Sequence, residues 1–307
     1  MKILITGGAG YKGVILTQKL LNRGYEVTIL DNFMYGYNSI LHLINNPNLK
    51  VIKVDIRNIS ESHIKDFDCI FHLAGISGMP ACAANPHSAE SINVESVRKM
   101  VNLLYKDQIL INASTTSMYG YSEEICDENS SINSSILSMY GKTKYEAEKI
   151  IQSRENSISL RFATVFGVSP KMRNDLLVND FTYKAVQERS IVLFAGKTRR
   201  TFVHIEDATD SYVFTLEKFD SMKNDIYNVG SNSLNLTKID IAEEIKKYVK
   251  FELVDSTLPD VDTRNFEISF DKIRGLGFNI KHNLSQGVQE LVKLYRFYVQ
   301  YIPYQII

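Results

Sequence analysis

The sequence predicts an α/β fold, a doubly wound parallel sheet followed by a smaller C-terminal α/β lobe. Three observations predict it. Short apolar strand patterns alternate with amphipathic helical patterns through the first half of the chain, as strands covered by helices on both faces require. A glycine-rich turn joins the first strand to the first helix. After about Phe166 the alternation becomes irregular, which marks a second lobe.

The first strand is Ile3–Thr6. Tyr11 to Arg23 reads as a helix with Val14, Leu16, Leu20 and Leu21 on its apolar faces, and Gly24 ends it. Strands follow at Glu26–Leu30, Val51–Val54 and Cys69–Leu73. A long helix is expected from Ser88 to Tyr105, a fifth strand at Ile109–Ala113, a helix at Ser138–Arg154 and a strand at Ile158–Phe162. In the second half, helices are expected at Asp175–Arg189, Asp207–Lys218, Thr237–Val249 and Leu284–Gln300. Short strands fit Ile191–Phe194, Thr201–Val203 and Ile226–Val229. The expected division is 1–165 for the sheet domain and 166–307 for the lobe, with some exchange of strands and helices. The apolar tail Tyr301–Ile307 suits packing or a subunit contact.

Composition narrows the function. Lys+Arg and Asp+Glu both number 35 in 307 residues, with no long basic run, so no nucleic-acid partner is expected. No apolar run approaches the ~18 residues that span a bilayer, so no membrane partner is expected either. The three cysteines, Cys69, Cys82 and Cys126, lack metal-site spacing and are odd in number. That fits a reducing compartment and no bound metal. The N-terminus enters a strand at once, leaving no room for a signal peptide, so a cytoplasmic location is expected.

The turn Thr6-Gly7-Gly8-Ala9-Gly10-Tyr11-Lys12-Gly13 has the Rossmann spacing. Gly7 permits the sharp turn, Gly10 lets backbone approach a pyrophosphate, and Gly13 lets the helix pack closely. The helix N-terminus then offers unpaired N–H groups and its positive dipole end to the phosphates. Lys12 reaches either the pyrophosphate or solvent. Asp31 ends the second strand roughly 20 residues on, where a carboxylate accepts from ribose hydroxyls and repels a 2′-phosphate. No Arg or Lys adjoins it in Leu30-Asp31-Asn32-Phe33, so the cofactor expected is NAD. Asp55 and Ile56 could hold the adenine. Leu73-Ala74-Gly75 ends the fourth strand with small residues, as a close cofactor approach requires. His72 lacks a ligand partner and reads as structural.

Tyr140 and Lys144, one helical turn apart, share a face. Oxidising a carbinol needs a base for the hydroxyl proton. A free phenol titrates near ~10, and a neighbouring ammonium favours the phenolate. Lowering it by ~3 units requires about 4 kcal/mol of preferential stabilisation. The hydroxyl cluster Ser114-Thr115-Thr116-Ser117 after the fifth strand could bond the substrate oxygen.

These motifs together resemble the extended short-chain dehydrogenase/reductase family, in its NAD-dependent nucleotide-sugar epimerase/dehydratase branch. The resemblance rests on TGGAGYKG, Leu30-Asp31-Asn32, FHLAG, Asn93-Val94, STTSMYG, YGKTK, Leu160–Gly167 and the segment Arg200–Asp207. It implies Thr115, Tyr140 and Lys144 as the catalytic set. It implies Gly7, Gly10, Tyr11, Lys12, Gly13, Asp31, Asn32, Asp55, Ile56, Leu73, Ala74, Gly75 and Asn93 at the cofactor, with Tyr140 and Lys144. Arg200 and Arg264 match arginines that bind a nucleotide diphosphate, bidentate guanidinium recognition being the physical reason. Thr116 and Ser117 stand where the family's 4,6-dehydratases carry Asp-Glu, which disfavours a dehydratase; decarboxylating relatives also keep the Glu. Thr164 replaces a substrate-contacting Asn. The stretch Phe162–Phe181 resembles bacterial enzymes acting on GDP-heptoses, with Arg173 and Asn179 near the nucleotide. The resemblance therefore implies a 4-dehydrogenase or 4-epimerase of a nucleotide-diphosphate sugar, GDP-heptose or similar, supplying cell-surface polysaccharide. It also implies a homodimer formed through helices Ser88–Tyr105 and Ser138–Arg154. Two rivals remain on the sequence alone, a catalytically silent NAD-binding scaffold and an NADPH-dependent carbonyl reductase.

Overall fold

A computed structural model describes residues 1–260, 262 and 264–299. The expected tail 301–307 and the last expected helical residue, 300, lie outside the described residues.

Seven strands form one parallel sheet. In spatial order they are Asp225–Val229, Ser157–Phe162, Ile109–Thr115, Cys69–His72, Lys2–Thr6, Glu26–Asp31 and Leu49–Lys53. The winding reverses between Lys2–Thr6 and Cys69–His72, and such a switch point opens a crevice at the strands' C-terminal ends. Strand Ser157–Phe162 is buried along its whole length. Apolar clusters cover both faces: Val14, Leu16 and Leu20 of the first helix pack on one, and Val97, Met100, Ala147 and Ile151 pack on the other.

The edge strand Asp225–Val229 comes from the second half of the chain. So does helix Ile205–Glu217, fastened to helix Tyr11–Asn22 where the Lys19 ammonium donates to the Glu206 carbonyl at 2.7 Å and to Asp210 at 2.6 Å. The remaining lobe has its own core, with Phe166, Phe181, Phe202, Ile241, Val288 and Tyr295. It carries a three-stranded sheet of Asn235–Thr237, Arg199–His204 and Thr164–Phe166.

The long helix expected from Ser88 is not continuous. It runs as Pro86–Glu90, a π-turn at Ser91–Glu95 and Ser96–Leu103. The π-turn contains Asn93, whose carboxamide is drawn into the neighbouring loop: it accepts from the Ile76 N–H at 2.8 Å and donates to the Ile76 carbonyl at 3.0 Å. Strands Tyr121–Cys126 and Glu252–Ser256 have no alternating pattern that sequence periodicity could find, and Asn265–Ile268 alternates over only four residues.

Candidate active site

The crevice at the switch point is lined by the glycine loop on one side. Thr115, Ser117, Tyr140 and Lys144 line another wall, and Thr164, Lys171, Arg173 and Arg264 close the third. Two of the glycines are sterically obligatory. Gly7 has φ +71°, and a Cβ there would lie 2.7 Å from the Ala74 nitrogen. A Cβ on Gly13 would lie 2.3 Å from the Gly7 carbonyl oxygen. The backbone is folded too tightly for any side chain; the Gly7, Ala9 and Gly10 N–H groups bond within the protein, and the first-turn N–H groups of helix Tyr11–Asn22 are the ones left for a ligand. That cradle, with a helix N-terminus behind it, fits a dinucleotide pyrophosphate.

Asp31 sits at its strand end and accepts from the Ala9 N–H at 3.1 Å and the Phe33 N–H at 2.8 Å. Burial pushes its carboxyl above the usual range. Asn32 braces the next turn, its carbonyl accepting from the Met34 N–H at 3.1 Å and its amide reaching Asp55 at 3.4 Å. Leu73 and Gly75 line the crevice, and the Ala74 N–H donates to the Thr6 hydroxyl at 3.3 Å.

The fifth strand ends at Thr115, whose hydroxyl accepts from the Ser117 N–H at 3.1 Å and so caps the following turn. Ser138 caps the helix Met139–Gln152. That helix starts immediately before Tyr140 and places Tyr140 and Lys144 on one face. No hydrogen-bond partner meets the Tyr140 hydroxyl or the Lys144 ammonium among the described residues, so both are available to a ligand. Burial pulls the Lys144 ammonium down to about 8, against a smaller upward pull from Glu148.

Several expected contacts are altered by packing. Asn179 is fully buried and saturated: its carbonyl accepts from the Gly167 N–H at 3.0 Å, and its amide donates to the Tyr11 hydroxyl and the Arg173 carbonyl. It ties the lobe to the glycine loop and does not line the crevice. Tyr11 completes that tie by donating its hydroxyl to the Gly167 carbonyl at 2.7 Å, which leaves only its backbone for phosphates. Thr116 turns its hydroxyl to the Phe162 carbonyl at 3.1 Å, away from the crevice. Ser117, the next residue, faces in. Asn93 also lies outside the lining; it fixes the Ile76 loop and donates to Thr143 of the Tyr140 helix at 3.2 Å.

Asp55 is occupied by Arg57 through two contacts at 2.9 and 2.8 Å, which hold its carboxyl down at about 2. Ile56 is 6% exposed and packs with Ile59 and Ile64, and it does not line the crevice. Arg200 is 3% exposed, 3.1 Å from Asp262, and absent from the lining. Arg264 does line the crevice, bridging Asp262 at 2.6 Å and donating to the Ser117 hydroxyl at 2.6 Å. Arg173 lines it too, paired with Asp175.

Sequence reasoning missed Tyr35 and Lys171 in the lining, whereas Ser117 belonged to the expected hydroxyl cluster. Lys171 donates to the Tyr35 carbonyl at 2.9 Å, a bridge from the lobe to the loop after Asp31 that no local spacing announces. Lys12 points neither to solvent nor along the phosphate cradle: its ammonium lies 3.7 Å from the centre of the Phe162 ring. His72 is structural, as expected, with its Nδ1 2.8 Å from the Thr6 hydroxyl.

Among the described residues, His204, Asp207 and His282 form one group close enough to hold a metal ion. The Asp207 oxygens already accept the Lys281 and His282 N–H groups, and the two imidazoles stack 4.5 Å apart. Both His204 nitrogens are already engaged, Nδ1 accepting from the Glu206 N–H at 3.4 Å and Nε2 lying 3.1 Å from Glu290. The group fastens the approach to helix Leu284–Tyr295 and does not line the crevice.

A parallel sheet with a glycine cradle at its switch point, beside a tyrosine and a lysine one helical turn apart, defines a dinucleotide-binding protein of Rossmann type. The sequence pattern of the NAD dependent epimerase/dehydratase family matches residues 3–230, and the chain belongs to that family. NAD is therefore its cofactor. The chain is 27% identical over 306 residues to a Methanocaldococcus jannaschii protein provisionally named a UDP-glucose 4-epimerase, covering 94% of this chain and 97% of that one. It is 27% identical to UDP-glucuronic acid decarboxylase 1 of Arabidopsis thaliana, covering 96% of this chain and 70% of the relative. In fold it is similar to the UDP-glucuronic acid 4-epimerase of Bacillus cereus, solved with UDP-glucuronic acid and NAD, at a TM-score of 0.83 and 24% identity, covering 96% and 99% of the two chains. Among the described residues no helix is long and apolar enough to cross a membrane.

Proposed function

We propose that this protein oxidises the C4 hydroxyl of a nucleotide-diphosphate sugar, as a 4-epimerase or a 4-dehydrogenase. The observation that carries this reading is that Thr115, Tyr140 and Lys144 line the same crevice as the glycine cradle. NAD supplies the hydride acceptor when bound. Tyr140 takes the hydroxyl proton, Lys144 stabilises its phenolate, and Thr115 orients the substrate oxygen. Arg264 and Arg173 exchange their carboxylate partners for the diphosphate, whose oxygens suit the same planar fork. Thr116 and Ser117 supply neither the acid nor the base that removing water from the sugar would need.

The relatives named above carry UDP-sugar names, whereas the stretch Phe162–Phe181 resembles enzymes of GDP-heptoses. The nucleotide is therefore the first variable to test. Incubation with NAD⁺ and a panel of UDP-, GDP- and dTDP-sugars, followed by NADH absorbance and product NMR, should give a C4 epimer or a 4-keto sugar with one nucleotide preferred. No change with any sugar would remove this reading. The same reading includes a sheet domain 1–165, a lobe from 166, a homodimer and a cytoplasmic location.

A further inference from the structure

Lys12 is the one side chain of the glycine loop whose position the cradle does not explain. It belongs to the first turn of helix Tyr11–Asn22, where its backbone faces the phosphate site. Its side chain turns the other way, along the crevice. The ammonium lies 3.7 Å from the centre of the Phe162 ring and 5.6 Å from that of Tyr212. Phe162 ends its strand and is the register partner of Thr115. The ammonium thus reaches the crevice end that Thr115, Tyr140 and Lys144 occupy.

No carboxylate, carbonyl or hydroxyl meets that ammonium among the described residues. Aromatic faces hold it instead, and such faces favour the charged form by ~0.5–2 kcal/mol. Burial and the cations Lys144 and Arg173 act against it, drawing its proton affinity well below the ordinary lysine range. In its protonated form the group has only aromatic faces beside it, so its charge acts on whatever enters the crevice.

We propose that Lys12 biases the bound cofactor toward its reduced form. Oxidised nicotinamide carries a positive charge and the dihydronicotinamide carries none. An ammonium at that end of the crevice repels the first and leaves the second untouched. The bias favours hydride removal from the sugar and retention of NADH until the keto sugar is reduced or leaves. A lysine gripping the pyrophosphate would differ, because both redox forms carry the same two phosphates. The inference rests on the placement of the reactive ring beside Tyr140 and Lys144.

The test is the ratio of dissociation constants for NAD⁺ and NADH, measured by calorimetry and NADH fluorescence on the full chain at neutral pH without sugar. In Lys12→Met, NAD⁺ should tighten relative to NADH, so that Kd(NAD⁺)/Kd(NADH) falls about tenfold, or ~1.4 kcal/mol. Lys12→Arg, which keeps the charge, should leave the ratio near that of the parent. Lys12→Gln serves as the second neutral variant if the methionine does not fold. An unchanged ratio in the neutral variants, or equal weakening of both cofactors, would overturn the proposal. If the parent protein bound both forms while Tyr140→Phe left turnover intact, the catalytic reading would fail on its own, separately from this ratio.

Discussion

Arg161 and Glu148 form a buried, doubly bonded ion pair beneath the candidate site. The guanidinium donates from Nη2 at 2.6 Å and from Nε at 3.1 Å, and the two side chains are 4% and 2% exposed. Ser114, next to Thr115, donates to the same carboxylate at 2.6 Å, and Arg161 also donates to the Tyr119 hydroxyl at 2.8 Å. The pair therefore joins strand Ile109–Thr115, strand Ser157–Phe162 and the Tyr140 helix.

Breaking one side of this pair leaves a buried charge without a partner. Glu148→Gln should destabilise the protein by about 3–5 kcal/mol, and adding Arg161→Met should recover much of that loss. Urea denaturation midpoints at constant slope give the numbers. A double variant as unstable as the single one would show that the pair is not the unit.

Tyr140→Phe removes the hydroxyl but keeps the ring. Turnover should fall by ~10²–10⁴-fold, while NAD⁺ affinity changes little. Retained turnover would exclude Tyr140 as the base. This variant also separates an enzyme from a silent NAD-binding scaffold, whose behaviour would not depend on the hydroxyl.

The residues of this site divide unevenly between sequence and structure. Gly7, Gly13, Tyr140 and Lys144 were legible because their geometry is local: each depends on spacing within one turn or one helix. Asn179, Arg200 and Thr116 were not, because their partners are Tyr11, Asp262 and Phe162, which lie far away in sequence.

Lys144 should govern the alkaline limb of kcat/KM. Burial favours the neutral amine, so its proton is lost as pH rises through about 8, below the ordinary lysine range. Activity that needs the ammonium should decline there. In Lys144→Arg the guanidinium stays charged, so a lower overall rate should be accompanied by the loss of that limb. A limb that stays put in the arginine variant would assign it to another group.

His72 should contribute to acid sensitivity. Burial foremost, with Lys144 in support, lowers its imidazole to about 3 in the folded protein. The unfolded chain binds that proton near pH ~6.5. Between those values the unfolded state holds more protons, so stability falls as pH falls, by up to ~1.4 kcal/mol per pH unit. His72→Asn should flatten the slope of stability against pH between 6.5 and 4. An equal slope in both proteins would contradict the burial argument.

The sequence by itself determined the parallel sheet, the phosphate cradle and the pairing of a phenol with an ammonium one turn later. Each follows from side-chain type and short-range spacing, which the backbone converts into geometry without outside help. Only the tertiary structure decided which polar atoms remain free. It saturated Asn179 and buried Arg200, and it turned Lys12 inward onto Phe162 while leaving Tyr140 and Lys144 open to the crevice. The reason is that a polar group's availability depends on what packs against it, and those partners come from other elements of the chain, as far away in sequence as Tyr11 is from Gly167.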